Sequence, residues 1–404
     1  MPWTTTRPIF ATRAMRGVAD GIMSASLTVL LLERGFGQRS VGIISTATLI
    51  GSASSLILIA RFADRMTPYR VLLVMSSLMV VTGVTFGLSA WLPLLLLIAV
   101  IGPLNPSSGD VSAFLPAEQT VIGSSVEAHE RTKTMATFSF VALGGSAVGA
   151  FLAGPIGTFG RSHGFASTNG VALTALVYAA IGAAVIPIYV ATVGRSMIAS
   201  IRTPSRLGPS KKIIRELTVV FALDSAGGGM VVYSILALWL RGRFGFSLGR
   251  IGTVFGFMSL ASALSARLAS RLSNKFGLVK TMVFTHAPAN VLLIAAAFAP
   301  SAPVAVGLLI ARSLLSQMDV PPRVSFVMSL VTPAERSAAS AYTNLPRSVA
   351  TASTPLLAAY LLQRSTFGWP LLIGGSLKLA YDILLWFRFK NHETLNQAAD
   401  VVPT

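Results

Sequence analysis

The chain has 404 residues, of which 53% are hydrophobic and only 11% charged, with a mean hydropathy of +0.70. That balance excludes an ordinary soluble domain and reads as an integral membrane protein. The net charge of +18 is scattered among apolar segments with no basic domain, which argues against a nucleic-acid partner; the lack of Cys excludes disulfides, zinc thiolate sites and cysteine nucleophiles.

A membrane-crossing helix needs about 20 mostly apolar residues. In chain order the candidates are 14–34, 40–62, 70–90, 93–121, 133–156, 170–192, 216–240, 248–272, 278–299, 302–330, 338–361 and 368–389. The first reads as an uncleaved helix, because Asp20 interrupts its apolar run and no small-residue cleavage site is evident. GPLNPSSGD (102–110) and DVPPR (319–323) place Pro and Gly inside the fourth and tenth, so both are expected to bend. Lys and Arg concentrate in alternate loops, which puts both termini in the cytoplasm of a multi-pass plasma-membrane protein. The basic interval 194–215 reads as a cytoplasmic linker between two six-helix bundles, 1–193 and 216–404.

The two halves carry matching features in the same order. Gly42 corresponds to Gly252, Arg61 to Arg271, Asp64 to Asn274, Asp110 to Asp319 and Glu130 to Glu335, and the first helices each hold an acid, Asp20 and Asp224. The loop ARFADRMTPYR (60–70) resembles the signature of the major facilitator superfamily through Asp64, Arg65 and Arg70, with Ala60 and Thr67 in place of glycines. SRLSNKFGLVK (270–280) repeats it, keeping Lys275, Gly277 and Lys280 while Asn274 replaces the acid. The family's Arg-centred motif is missing from VIGPLNPSSGDVSAF. GAFLAGPIG (149–157) is similar to the Gly-Pro pattern of proton antiporters, although close packing of a helix pair explains it equally. The resemblance implies an all-α membrane protein of twelve transmembrane helices in two pseudo-symmetric six-helix bundles.

Ionisable groups inside spans cost at least about 2.5–3.5 kcal/mol at the bilayer centre, so they usually face a bundle interior or a wet cavity. Arg312, Ser316, Asp319 and Arg323 fall at i, i+4, i+7 and i+11, on one face of a continuous helix. Arg312 and Arg347 are candidate substrate contacts, since a guanidinium stays charged when buried and matches a carboxylate or phosphate; Gln317, Asp319 and Asn344 join them. Asp20, Asp110, Asp224, Arg16 and Arg323 are candidates for proton coupling or gating. Local spacing pairs Arg16 with Asp20 and Lys378 with Asp382, while Asp224, in ALDSAGGGM, has no cation one turn away. Glu118 is expected to meet the basic loop Arg61–Arg70, His286 and Asn290 to bond neighbouring helices, and Thr332 to Glu335 to form a capping box. Acids Asp20, Asp110 and Glu118 in the first half and bases Arg312, Arg323, Arg347 and Lys378 in the second suggest charge pairs across the halves.

These features point to secondary active transport of a small organic solute by alternating access, with proton-coupled efflux first and uptake of an organic anion or metabolite as the alternative. A membrane sensor that binds without transporting is the contrasting class. No GxxxxGK[ST] loop, metal-ligand spacing or nucleophile–base pair is present, so neither a cofactor, a metal nor an enzymatic activity is expected. The expected partners are the solute, protons and the lipid bilayer, with the chain acting as a monomer.

Overall fold

The structure, a computed structural model, describes residues 3–62, 67–105, 114–125, 131–164, 170–193, 207–332 and 335–391. Among them the regular structure is helical. The elements are α1 (Trp3–Glu33), α2 (Gln38–Arg61), α3 (Pro68–Leu88), α4 (Leu92–Ile101), α5 (Leu115–Ser125), α6 (Arg131–Ser162), α7 (Ala172–Thr192) and α8 (Lys211–Met230). They continue as α9 (Tyr233–Phe244), α10 (Leu248–Phe276), α11 (Leu278–Ala297), α12 (Ala302–Ser316), α13 (Val320–Ser329), α14 (Arg336–Ser353), α15 (Pro355–Arg364) and α16 (Trp369–Phe389).

Sequence punctuation sets the breaks. In the tenth candidate span, α12 ends at Ser316, a turn covers Gln317 to Asp319, and α13 restarts with Pro321 and Pro322 in its first turn, where the missing N–H groups would be unbonded anyway. The continuous face expected for Arg312, Ser316, Asp319 and Arg323 is therefore interrupted. Pro355 opens α15 one residue after α14 closes, and α8 ends just beyond its glycine run. Among the described residues nine helices are long and apolar enough to cross a membrane, ten if α8 and α9 are counted as one span. The other two candidate spans are the broken pairs α4–α5 and α14–α15. Val219, Phe284 and Phe387 are exposed, as side chains on a lipid-facing surface can be without penalty.

The chain forms two compact units. The first comprises Met1–Arg202, Val231–Leu260 and Pro355–Phe367; the second comprises Thr203–Met230, Ala261–Thr354 and Gly368–Thr404. In the first, α1 packs along α6 and α7, and α3 along α7, over a core that includes Phe138 and Tyr189. The second repeats this pattern: α8 packs along α14 and α16, and α11 along α16, over Phe221, Phe326 and Tyr381. Within the first unit α9 and α15, from beyond the central interval, pack on α1 and α2. Thr28 Oγ1 donates to the Ser234 carbonyl at 2.7 Å, and the Ser45 and Ser234 hydroxyls bond at 2.7 Å.

The matched glycines occupy equivalent contacts. A Cβ on Gly42 would lie 2.5 Å from Ala359 Cβ on α15, and one on Gly252 would lie 2.3 Å from the Ala150 carbonyl on α6. Both glycines sit on the second helix of a half and press against the fifth helix of the other half. Gly149, in the Gly-Pro run, lets α6 reach the Val18 carbonyl of α1, so close packing accounts for it.

Glu335 stands at the start of α14, as expected, but its carboxylate bonds no amide of that helix; Pro333 and Ala334 of the proposed capping box lie outside the described residues. Its carboxylate accepts from the Gly208 N–H at 2.6 Å, the Ser210 hydroxyl at 2.9 Å and the Thr332 hydroxyl at 3.0 Å, tying the start of α8 to the start of α14. These donors, the Gly208 amide foremost, hold its pKa below the ordinary carboxylate value. The tie is thus complete above about pH 4.3 and is released as pH falls through the lower folded value. Glu335→Gln is expected to speed amide hydrogen exchange across 207–215 at neutral pH, and acidification should reproduce the effect only in the unsubstituted protein.

Candidate functional site

Ionisable side chains gather in two buried clusters, one per unit. In the first, Arg16 on α1 is 2% exposed and donates through Nη2 to Glu118 Oε1 on α5 at 2.5 Å, with its guanidinium 3.8 Å over the Phe114 ring. Tyr189 Oη donates to the same oxygen at 3.1 Å, and Arg13 Nη1 stands 3.9 Å from Oε2. The local Arg16–Asp20 pair is not formed, because Glu118 lies fully buried against α1 and takes the guanidinium. The expected partnership of Glu118 with the loop Arg61–Arg70 falls in part on residues 63–66, outside the described residues; its described partners are Arg16, Arg13 and Tyr189. Asp20 is half-buried, and among the described residues no hydrogen bond or ion pair within 4.0 Å reaches its carboxylate.

The second cluster centres on Asp224 of α8. Lys378 Nζ of α16 donates to Asp224 Oδ1 at 2.6 Å, and Arg323 Nη1 of α13 donates to Oδ2 at 3.0 Å. The glycine run explains the reach of Lys378. A Cβ on Gly227 would lie 2.8 Å from Lys378 Cγ, so only a bare backbone leaves the lysine stem a path along α8 to the acid. Lys378 therefore does not neutralise Asp382, although the two are one turn apart. Asp382 instead accepts from His286 Nδ1 at 2.9 Å and Asn290 Nδ2 at 2.8 Å, both on α11. Arg323 Nη2 also lies 3.3 Å from Asp319 Oδ2. Asp224 is thus paired within its own unit, as are Glu118, Arg323 and Lys378, rather than across the halves.

Arg347 on α14 is half-buried and differs from these cations. Its Nε donates to the Ser225 hydroxyl at 3.2 Å and its Nη1 to Asn344 Oδ1 at 3.3 Å. Both partners are neutral, and among the described residues no carboxylate lies within 4.0 Å of it. Asn344 is exposed and Gln317 half-buried in the α12–α13 turn; Arg312 is half-buried on α12. Of the loop residues, Arg70 is exposed in the first turn of α3, where its amide N–H donates to Thr67 Oγ1. Lys275 is exposed at the end of α10, and Gly277 precedes α11 with φ +88°, a backbone that favours glycine. Asp64, Arg65 and Asp110 lie outside the described residues. The partnership of His286, Asp382 and Asn290 with the Asp224 cluster was not singled out by sequence; the i, i+4 spacing of His286 and Asn290 was its available signal.

Residues 217–401 match the family model of the Major Facilitator Superfamily. The structure superposes on the crystal structure of the nucleoside transporter NupG with a TM-score of 0.71, at 12% identity, covering 95% of this chain and 99% of the other. The chain has the major facilitator fold. A bacterial homologue of the human lysosomal transporter Spinster, in an inward-facing and occupied conformation, gives a TM-score of 0.69 at 16% identity, with 94% of this chain and 93% of that one covered. The xylose transporter XylE from E. coli, partially occluded and inward open, gives 0.69 at 14% identity, with 97% and 100% covered. In sequence the chain is 22% identical over 412 residues to the uncharacterized membrane protein YJR124C of Saccharomyces cerevisiae, covering 93% of this chain and 92% of that protein. The major facilitator fold agrees with the all-α, two-bundle architecture expected from sequence.

Proposed function

We propose that this major facilitator is a secondary transporter that carries a small organic anion by alternating access, coupled to protons. The observation that carries the anion reading is Arg347, whose guanidinium is oriented by the neutral Ser225 and Asn344 and has no carboxylate within ion-pair distance among the described residues. Within the spans of the second unit the cations Arg312, Arg323, Arg347 and Lys378 outnumber the carboxylates Asp224, Asp319 and Asp382. A surplus of fixed positive charge attracts an anion and repels a cation, so this arrangement favours the anion over a cationic export substrate. Asp224 and Arg323 act as structural charge partners in this reading, and Asp20 remains a candidate gating acid.

The test is counterflow in proteoliposomes with a panel of labelled carboxylates, organic phosphates and organic cations. Anions are expected to exchange. Arg347→Gln removes charge-assisted hydrogen bonds worth about 1.5–3 kcal/mol, which is a loss of about 10- to 150-fold in apparent affinity. Arg347→Lys keeps the charge without the planar fork and should retain part of it. Exchange of cations alone, or anion exchange unchanged in Arg347→Gln, contradicts the anion reading.

A further inference from the structure

We infer that His286, held between Asp382 and Asp224, is a proton-binding site, and that its ligand is the proton coupled to anion transport; the coupling part rests on the function proposed above. His286 is 3% exposed, and each of its ring nitrogens faces a carboxylate oxygen from a different helix. Nδ1 lies 2.9 Å from Asp382 Oδ1 on α16, and Nε2 lies 3.6 Å from Asp224 Oδ1 on α8. Asn290 Nδ2 donates to Asp382 Oδ2 and also lies 3.0 Å from His286 Nδ1, so in the neutral ring Nδ1 either donates to Asp382 Oδ1 or accepts from Asn290.

A neutral imidazole has one N–H. With that proton on Nδ1 the Nε2 lone pair faces Asp224 Oδ1, and with it on Nε2 the Nδ1 lone pair faces Asp382 Oδ1, so either neutral tautomer sets one acceptor against another. Taking a proton from water onto the bare ring nitrogen converts this opposition into a second N–H facing a carboxylate, which makes the imidazolium the form whose two N–H groups both find acceptors. The same step places a third cation on Asp224, already held by Lys378 at 2.6 Å and by Arg323 at 3.0 Å. Arg323 has an alternative partner in Asp319, 3.3 Å away, and can shift its share of charge there. Among the other groups packed around α11, Tyr381 of α16 sets its ring edge-on to His286 at 5.6 Å, and α12 contributes Arg312 as its one charged side chain.

Coupling follows from adjacency. Ser225, which orients Arg347, is the next residue after Asp224, so one more positive charge on the Asp224 cluster raises the pull on an anion at Arg347. By linkage the bound anion must raise the affinity of His286 for the proton by the same factor.

The site is tested by ring 15N NMR of the histidine-labelled full chain in lipid nanodiscs, from about pH 8.5 to about pH 5, with His286→Gln assigning the signal. The expected result is that, among the four histidines, the ring assigned to His286 passes from a single N–H to two N–H on acidification. Asp382→Asn should leave that ring singly protonated over more of the range, and Lys378→Met, which removes a competing cation, should leave it doubly protonated over more of it. If Asp382→Asn does not fold, the opposite change in Lys378→Met still decides. A ring that keeps one N–H throughout, or that ignores both substitutions, overturns the inference. The NMR needs no solute, whereas absence of counterflow by the unsubstituted protein counts against transport itself. Where counterflow is present, a pH gradient is expected to drive accumulation of the exchanging anion, and equal accumulation by His286→Gln overturns the coupling role.

Discussion

Asp224→Asn is expected to be among the most destabilising single substitutions in the chain. It removes the charge that holds Lys378 and Arg323, both 7% exposed; Arg323 keeps Asp319 at 3.3 Å, so Lys378 is the cation left facing a neutral amide. Breaking a buried pair by deleting one partner typically costs about 3–5 kcal/mol, because the remaining charge is neither paired nor hydrated. Lys378→Met should cost less, since Arg323 still compensates the acid and an unbranched apolar stem can follow the same path over Gly227. In thermal unfolding of the detergent-solubilised protein the expected order is unsubstituted, then Lys378→Met, then Asp224→Asn. The double substitution should unfold above Asp224→Asn, because it removes the stranded lysine. A double substitution at or below the sum of the two single losses shows that the pair is not what holds α8 to α16.

The second large effect is steric. Gly252→Leu puts a Cβ 2.3 Å from the Ala150 carbonyl, and Gly42→Leu puts one 2.5 Å from Ala359 Cβ, with a branched side chain beyond. A backbone carbonyl cannot yield as a side-chain tip can, so α10 must separate from α6; crowding at Ala359 likewise drives α2 from α15. The result is expected to be selective: the first unit loses the α1–α2 contacts with α9 and α15, while the Arg16–Glu118 cluster stays intact. The chain has no Cys, so cysteine pairs can be placed without removing any. Ser45→Cys with Ser234→Cys joins residues whose hydroxyls already touch, and should cross-link readily in the parent protein. Adding Gly252→Leu or Gly42→Leu is expected to cut that cross-linking at least about tenfold, a population shift of about 1.4 kcal/mol. Unchanged cross-linking contradicts the steric account.

Sequence carried the repeat and the breaks further than it carried the charge pairs. Gly42 and Gly252 were visible because a contact that needs a bare backbone leaves a residue-type signature in each half. The Pro321–Pro322 and Pro355 restarts were similarly local, although the turn at Gln317 to Asp319 broke a face that continuous periodicity had joined. Charge pairing failed where only spacing was available. One-turn rules matched Arg16 to Asp20 and Lys378 to Asp382, yet Arg16 took Glu118, 102 residues away, and Lys378 took Asp224, 154 residues away. Spacing along one helix reports which groups can meet on its surface; in a bundle the neighbouring helix offers a more enclosed partner, and helix packing is not written in any one segment. Arg347 was legible as a candidate with Asn344 beside it, but Ser225, 122 residues away, was not.

The most direct test of alternating access is transport by the Ser45→Cys/Ser234→Cys protein in proteoliposomes, measured as anion counterflow before oxidation, after it and after reduction. The account requires α1 and α2 to part from α9 in every cycle, so oxidation should abolish counterflow and reduction should restore it. Full cross-linking with undiminished counterflow would show that this contact never opens, and would contradict the mechanism.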